Sequence, residues 1–460
     1  MRGIIAAIST PPGKGGVAVI RVSGKGAVAL CDKVFLPASG KLFSSYPTRT
    51  QVYGYIMNNE ERLDDCLACH FGEGSSYTGE ETVEISCHGG KLISAEVLRI
   101  LISAGAAPAQ AGEFTRLAFL NGKLTLTEAE AIGDLLDAKT TEQIKLASTT
   151  ARRGLSEAIE QIKASLTTLL ADIYARIDYP DEDLGDLTDG QTLDQLLLIK
   201  ADVERLANSY KTGKAINEGI DTVICGKPNV GKSTLYNALL CEDAAIVTDV
   251  EGTTRDLLER QLSLGRVLIR LTDTAGIRQN STDKVEMIGI DRTRAKISAC
   301  DLVIAVFDGS EKLDQRDGEV IDALKGSSAA KICIINKAEK PARIGAKDLP
   351  ELFDEIILLD AKDRPEEARE KLSASVNRLF TDERIASGTD PIISSARQHG
   401  ALIHALGLID SAIESYRIGL PTDAASSDIE MALTAIGEVD GRAVSEDVVN
   451  NIFSRFCVGK

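Results

Sequence analysis

The chain has 460 residues, enough for about two to four domains, and 43% of them are apolar. It carries 52 Lys and Arg against 69 Asp and Glu, a net charge of -17, and it has no Trp. That balance repels phosphate backbones at long range and argues against a large aromatic platform for single-stranded nucleic acid, so a nucleic-acid role needs a local basic patch or a partner. The nine cysteines are scattered singly, as in a reducing compartment. The start MRGIIAAISTPPG reads as a first strand rather than a signal peptide, and no apolar run is long enough to span a bilayer. The expectation is a cytoplasmic protein with no membrane contact.

Residues 1–120 carry short β-rich runs, GVAVIRVSG and TVEISCHGG among them, broken by Gly and Pro, with one helical run, LISAEVLRILISAG. This predicts an α+β domain. Within it, RLDDCLACHF contains C-x-x-C-H, a spacing used for haem attachment and metal sites. Strict alternation predicts a strand instead, which sends Cys66 and Cys69 to opposite faces. From residue 121 to 218 the pattern turns helical. Thr127 and Glu130 have capping-box spacing. Leu155, Ile159, Ile162, Leu166, Leu169 and Ile173 recur every three or four residues, the seam of a long amphipathic helix. The acidic DYPDEDLGDLTDG, from Asp178, lacks the EF-hand order and reads as a solvated loop. Leu196, Ile199, Val203 and Leu206 mark a further helix. Over 219–381 strands and helices alternate, the α/β signature. Over 382–460 Leu402, Leu406, Ile409 and Ile413 resume helical spacing. The architecture expected is multidomain, α+β and α/β, with a helical domain interrupted by an inserted α/β domain.

The inserted segment contains Gly226-x-x-x-x-Gly231-Lys232-Ser233 between a buried run, Thr222 to Cys225, and a helix start. This is a full P-loop: the backbone around Asn229, Val230, Gly231 and Thr234 wraps phosphates, Lys232 reaches the β- and γ-phosphates, and Ser233 holds Mg²⁺. Three weaker segments follow in the order a GTPase needs. Thr254, in GTTRD, offers a second Mg²⁺ ligand. Asp273, Thr274, Ala275 and Gly276 form a DTAG whose glycine meets the γ-phosphate. Asn336 and Lys337 end the strand KICIIN. Guanine readers generally use N-K-x-D; here the carboxylate is Glu339, about 1.5 Å longer by one methylene. Asp360, Ala361 and Lys362 stand where an S-A-K turn belongs. The residue after DTAG is Ile277, where Ras-type enzymes place the glutamine that orients water. On the residues alone, that role divides among Gln279, Asp283 and Glu286.

These segments resemble one family, the MnmE (TrmE) tRNA-modification GTPases. The likeness runs through TPPGKGGVAVIRVSG, SYTGEETVEISCHGG, AGEFTRLAFLNGKLTLTEAEAI, GKPNVGKST, IVTDVEGTTRD, DTAGIRQ with VEMIGIDR, and the terminal FCVGK. It implies an N-terminal folate-binding α+β domain, a helical domain and an inserted Ras-like G domain. It implies GTP hydrolysis supported by K⁺ on Asn229, Thr248, Val250 and Thr253, with Glu286 orienting the water. A cation beside the phosphates neutralises charge developing in transfer. The family installs a carboxymethylaminomethyl-type group at C5 of the wobble uridine of tRNAs. It works as a homodimer with an FAD-dependent MnmG/GidA-type flavoprotein and a tetrahydrofolate derivative of the 5,10-methylene or 5-formyl type. The resemblance assigns folate binding to Arg21, Glu84, Lys123 and Lys460, and a modification role to Cys457. One departure is local: the family's P-G-E-F-[ST]-x-R-A-F has its arginine one place later, so Arg116 stands before the usual site and Leu117 occupies it.

A ribosome-assembly GTPase uses the same nucleotide motifs. That class expects a basic RNA-binding appendage, and nothing after Phe380 is conspicuously basic.

Overall fold

The computed structural model describes residues 3–152, 154–179, 188–240, 259–272, 296–381, 391–441 and 444–459. The chain divides into two compact units. One comprises Met1–Leu136, Thr150–Tyr174 and Ser426–Lys460, the other Asp137–Thr149 and Ala175–Ala425.

The first unit is built on a seven-stranded sheet in the order β3-β4-β5-β6-β2-β1-β7. The strands are β1 (Ile5–Ile8), β2 (Val17–Ser23), β3 (Phe35–Pro37), β4 (Val52–Asn58), β5 (Glu61–Phe71), β6 (Thr82–His88) and β7 (Ala107–Pro108). Every pairing is antiparallel except that of β1 with β7. Alternation along β2, β5 and β6 buries Ile20, Val22, Cys66, Ala68, Val83 and Ile85 with Val97 and Leu101 of the helix Lys91–Ser103. Each Val, Leu or Ile among them contributes about 1.5–3 kcal/mol on burial. The C-x-x-C-H stretch is indeed a strand, and Cys66 packs into this core.

A second cluster joins Leu126 and Ala129 to Val449, Phe453 and Phe456, from the helices Leu126–Asp137 and Glu446–Ser454 and the residues after them. The expected capping box is displaced by two residues. Thr125 and Glu128 make the reciprocal bonds, Glu128 N–H to Thr125 Oγ1 at 3.2 Å and Thr125 N–H to Glu128 Oε2 at 2.8 Å. Thr127 is inside the helix and donates to Val439 O. The seam Leu155 to Ile173 lies on the helix Gly154–Asp178, and all six of its residues are buried. Residues 180–187 of the acidic stretch lie outside the described residues.

In the second unit Thr188 and Gln191 cap the helix Asp189–Asn217, which buries Leu196, Ile199, Val203 and Leu206. It packs along the helix Ala396–Arg417, with Lys200 on Asp410 at 2.7 Å. Ser209 Oγ accepts the N–H of Ile393 at 2.9 Å. A Cβ on Gly213 would lie 2.0 Å from Ile393 O, so only glycine permits this approach.

The six-stranded sheet of this unit runs β13-β12-β11-β8-β10-β9. Its strands are β8 (Ile220–Cys225), β9 (Glu259–Leu264), β10 (Val267–Thr272), β11 (Leu302–Asp308), β12 (Ala330–Asn336) and β13 (Glu355–Leu358). All neighbours are parallel except β9 and β10. One face packs Ile224, Ile304 and Ile334 against Leu235 and Leu239 of Lys232–Leu239 and Leu372 and Val376 of Pro365–Phe380. The other packs Val223, Val303 and Phe307 with Leu324 of Gln315–Lys325. Covered on both faces, β11 has all seven residues buried. Open sheets of this kind bind ligands outside the carboxyl ends of their strands. Those ends are Cys225 leading to Gly226, Asp308, and Asn336. Among the described residues, no helix is long and apolar enough to cross a membrane.

Candidate functional site

The loop after β8 is shaped by its glycines. Gly226 has φ +144°, and a Cβ there would meet Val306 O at 2.3 Å; Gly231 has φ +102°, and a Cβ would sit 2.1 Å from Asn336 Nδ2. Asn229 lies between them in the left-handed region, φ 65°, with its side chain exposed. Val230 is buried in the core below, pinning the loop to the sheet. The helix Lys232–Leu239 then starts at Gly231 without a side-chain cap. Its first N–H groups and macrodipole favour an anion at that end. Ser233 is exposed in the first turn, with Thr234 half-buried beside it. Lys232 Nζ donates to the carbonyls of Gly226 and Lys227, each at 2.8 Å. Burial pulls its pKa below the ordinary lysine value, with Cys225 acting in the other direction. The ammonium is thus already seated on the loop expected to wrap phosphates.

The segments expected to read the base are assembled around the same loop. Asn336, buried at the end of β12, donates through Nδ2 to Val230 O at 2.9 Å and accepts at Oδ1 from the Ala361 N–H at 3.1 Å. Ala361 is itself buried. Asp360 accepts the N–H groups of Lys362 and Asp363 at Oδ1, 3.2 and 3.0 Å away. An aspartate therefore shapes the turn where a serine is usual. Lys337 Nζ is paired with the buried Asp308. Burial opposes the Asp308 charge, but Lys337 and both donors of Ser310 outweigh it and hold its pKa below the ordinary value. Glu339 is exposed. Thr248, Val250, Thr253, Thr254, Asp273, Thr274, Ala275, Gly276 and Glu286 lie outside the described residues.

The sequence reading missed Asp308 and Lys227. Asp308 had a signal: it ends a fully apolar strand, as Asn336 does. Lys227 Nζ donates to Asp317 Oδ2 at 2.8 Å and Asp314 Oδ2 at 3.1 Å; only the capping spacing of those aspartates hinted at a special place.

In the first unit, Arg21 and Glu84 face each other in the β2–β6 register. Arg21 Nε and Nη2 donate to Glu84 Oε1 at 3.0 and 2.8 Å. The guanidinium lies 5.0 Å from the Tyr77 ring centroid and 5.6 Å from that of Phe114, within cation–π range. Tyr77 also hydrogen-bonds Thr115 Oγ1 at 2.9 Å, and burial raises its pKa. Lys123 Nζ donates to Gly74 O at 2.7 Å, on the loop that carries Tyr77. Lys460 is outside the described residues, but the peptide before it is fixed. Val458 bridges Ala111, and Ser9 Oγ donates to Gly459 O at 2.9 Å. Cys457 is exposed there. The displaced arginine has a structural account. Leu117 packs with Ile5, Ala7 and Phe114, while the Arg116 side chain, 26% exposed, meets Glu446 at 3.3 Å.

The family model described as GTP-binding protein TrmE N-terminus matches residues 4–123, and that of the MnmE helical domain matches 126–457. The chain belongs to the MnmE family. The tRNA modification GTPase MnmE of Thermotoga petrophila is 38% identical over 457 residues, covering 99% of each chain. That of Ligilactobacillus salivarius is 37% identical over 459 residues, 99% of this chain and 98% of its own. That of Clostridioides difficile is 34% identical over 456 residues, 99% of each. As an MnmE family member the chain is a GTPase, and its P-loop is the assembled part of that site.

Proposed function

We propose that this chain is a potassium-dependent GTPase whose cycle drives carboxymethylaminomethyl-type modification at C5 of the wobble uridine of tRNAs. The observation that carries the nucleotide half is the double bridge of Asn336. It ties the phosphate loop at Val230 to the base-reading turn at Ala361. A purine nucleotide needs both ends fixed at once, and one buried carboxamide does this.

The residues fit the ions proposed. Ser233 is exposed at the helix start beside the anion cradle, as an Mg²⁺ ligand must be, and Thr254 would complete the pair. Asn229 presents a neutral amide at the mouth of the loop, a hard oxygen suited to K⁺, and by the family resemblance Thr248, Val250 and Thr253 would join it. When bound, K⁺ supplies positive charge beside the β- and γ-phosphates. Glu286 orients the water. Ile277 has no polar atom for that task, and among Gln279, Asp283 and Glu286 the family resemblance selects Glu286.

For the first unit, the Arg21–Glu84 pair between aromatic rings suits a flat heterocycle bearing adjacent N–H donors, as in a tetrahydrofolate derivative. Lys123 and Lys460 would meet its carboxylates. Cys457, on the exposed terminal peptide, would serve the modification chemistry. The working assembly is a cytoplasmic homodimer with an FAD-dependent MnmG/GidA-type flavoprotein, which brings the tRNA to an otherwise acidic chain.

The test is GTP turnover in K⁺ against Na⁺. The reading expects faster turnover in K⁺ and its collapse in Glu286→Ala with nucleotide affinity retained. Equal rates in the two salts would remove the potassium role. Cys457→Ser should leave turnover intact and abolish the modified wobble nucleoside on mass spectrometry; an unchanged nucleoside would remove the Cys457 assignment.

A further inference from the structure

The phosphate loop contains a second lysine, Lys227, and its side chain runs to the start of the helix Gln315–Lys325. Its side chain is 8% exposed, and Nζ meets Asp317 Oδ2 at 2.8 Å, Asp314 Oδ2 at 3.1 Å and Glu311 Oε2 at 3.6 Å. Asp317 is buried in turn. Burial works against the Lys227 charge, but the Asp317 and Asp314 carboxylates outweigh it and raise its pKa above the ordinary lysine value.

The two aspartates also build the start of the helix Gln315–Lys325. Asp314 Oδ1 accepts the N–H groups of Arg316 and Asp317, and Asp317 Oδ2 accepts that of Asp314. The helix cap and the phosphate loop are therefore one hydrogen-bonded network. The next link is the backbone of Lys227 itself. Its carbonyl, with that of Gly226, receives Lys232 Nζ at 2.8 Å. The connection runs from Asp317 through the Lys227 side chain to the Lys227 carbonyl, and from there to Lys232. A buried pair of this kind is costly to break, because removing one partner strands a charge in the interior.

We propose that Lys227 is a positioning residue for GTP binding. Anchored on Asp314 and Asp317, it holds the loop carbonyl that aims Lys232 at the β- and γ-phosphates. The proposal rests on the nucleotide-site reading above. It makes the cap of Gln315–Lys325, which touches no phosphate motif in sequence, part of the nucleotide machinery.

The experiment measures binding of a fluorescent GDP to the full chain, with the melting temperature of each nucleotide-free variant. Lys227→Met and Asp317→Asn should each weaken GDP binding by about tenfold or more, and the double variant should be no weaker than the worse single. Lys227→Arg, which can still reach both carboxylates, should bind within about threefold of the natural chain. In turnover, the loss should appear in KM rather than kcat. If Lys227→Met binds GDP like the natural chain, whatever its melting temperature, the lysine is only a cap partner and the proposal is overturned. Losses that multiply in the double variant, or an arginine variant as weak as the methionine one, overturn it as well. Should Lys227→Met fail to fold, Asp314→Asn on the more exposed partner must still weaken GDP binding, and an unchanged value overturns the proposal. A natural chain that fails to bind GDP would instead defeat the nucleotide-site reading.

Discussion

Asn336 and Val230 are joined by a buried hydrogen bond of 2.9 Å, and the same carboxamide receives the Ala361 N–H at 3.1 Å. In Asn336→Ala a buried carbonyl and a buried N–H lose their partner together. Each orphaned group costs about 1–3 kcal/mol. We expect a clear fall in the urea midpoint and a loss of GDP affinity. Asn336→Asp keeps the acceptor but not the donor, and should fall between the alanine variant and the natural chain. A midpoint unchanged in Asn336→Ala would show that the bridge does not hold the loops.

Gly231 tests the same junction from the other side. A Cβ there would lie 2.1 Å from Asn336 Nδ2 in a backbone with φ +102°. Gly231→Ala should abolish measurable GDP binding while leaving the circular dichroism spectrum close to that of the natural chain. Retained binding would mean that Asn336 can swing aside at little cost.

Acid stability should report on Asp308. Its pKa is held below the ordinary 3.8 in the folded chain. A depressed carboxylate contributes stability above its unfolded pKa and loses it as pH falls through the folded one. The stability gap between the natural chain and Asp308→Asn should therefore be full near pH 6 and shrink below pH about 4. Urea titrations across that range measure it. A gap that does not change with pH would assign Asp308 a packing role only.

Arg21 offers a test confined to the first unit. Arg21→Lys keeps the charge but loses the paired Nε and Nη2 donors on Glu84 Oε1 and the flat guanidinium near Tyr77. Calorimetry with 5-formyl-tetrahydrofolate should show about tenfold weaker binding or worse, and GTP turnover should not change. Undiminished folate binding would place the ligand elsewhere.

The backbone frame of the candidate nucleotide site, over its described residues, was readable from local pattern. The glycine spacing from Gly226 to Gly231 and the apolar strands ending at Cys225 and Asn336 each state a backbone requirement within a few residues. What could not be read depends on distant partners. Thr127 carries a capping signature, yet its hydroxyl goes to Val439, so Thr125 takes the cap instead. Lys227 carries no signal in sequence that its partners are Asp314 and Asp317, some ninety residues away at a helix cap. The sequence shows the family arginine moved one place, to Arg116, with Leu117 at its usual site. Only the structure shows that Leu117 packs with Ile5, Ala7 and Phe114 while Arg116 meets Glu446. The order of the sheet strands, likewise, is set by crossovers that no short window contains.

The cysteines have a practical consequence. Burial drives the thiols of Cys66, Cys225 and Cys333 up to about 12, and those of Cys87 and Cys300 up to about 11. Cys457 is the one exposed cysteine among the described residues. A maleimide dye added briefly at neutral pH would choose Cys457 over these others. With Cys241, which lies outside the described residues, replaced by Ser, its emission would follow the terminal peptide where it crosses Ala111 and Ser9, an optical gauge of whether that tail stays docked while nucleotide turns over elsewhere in the chain.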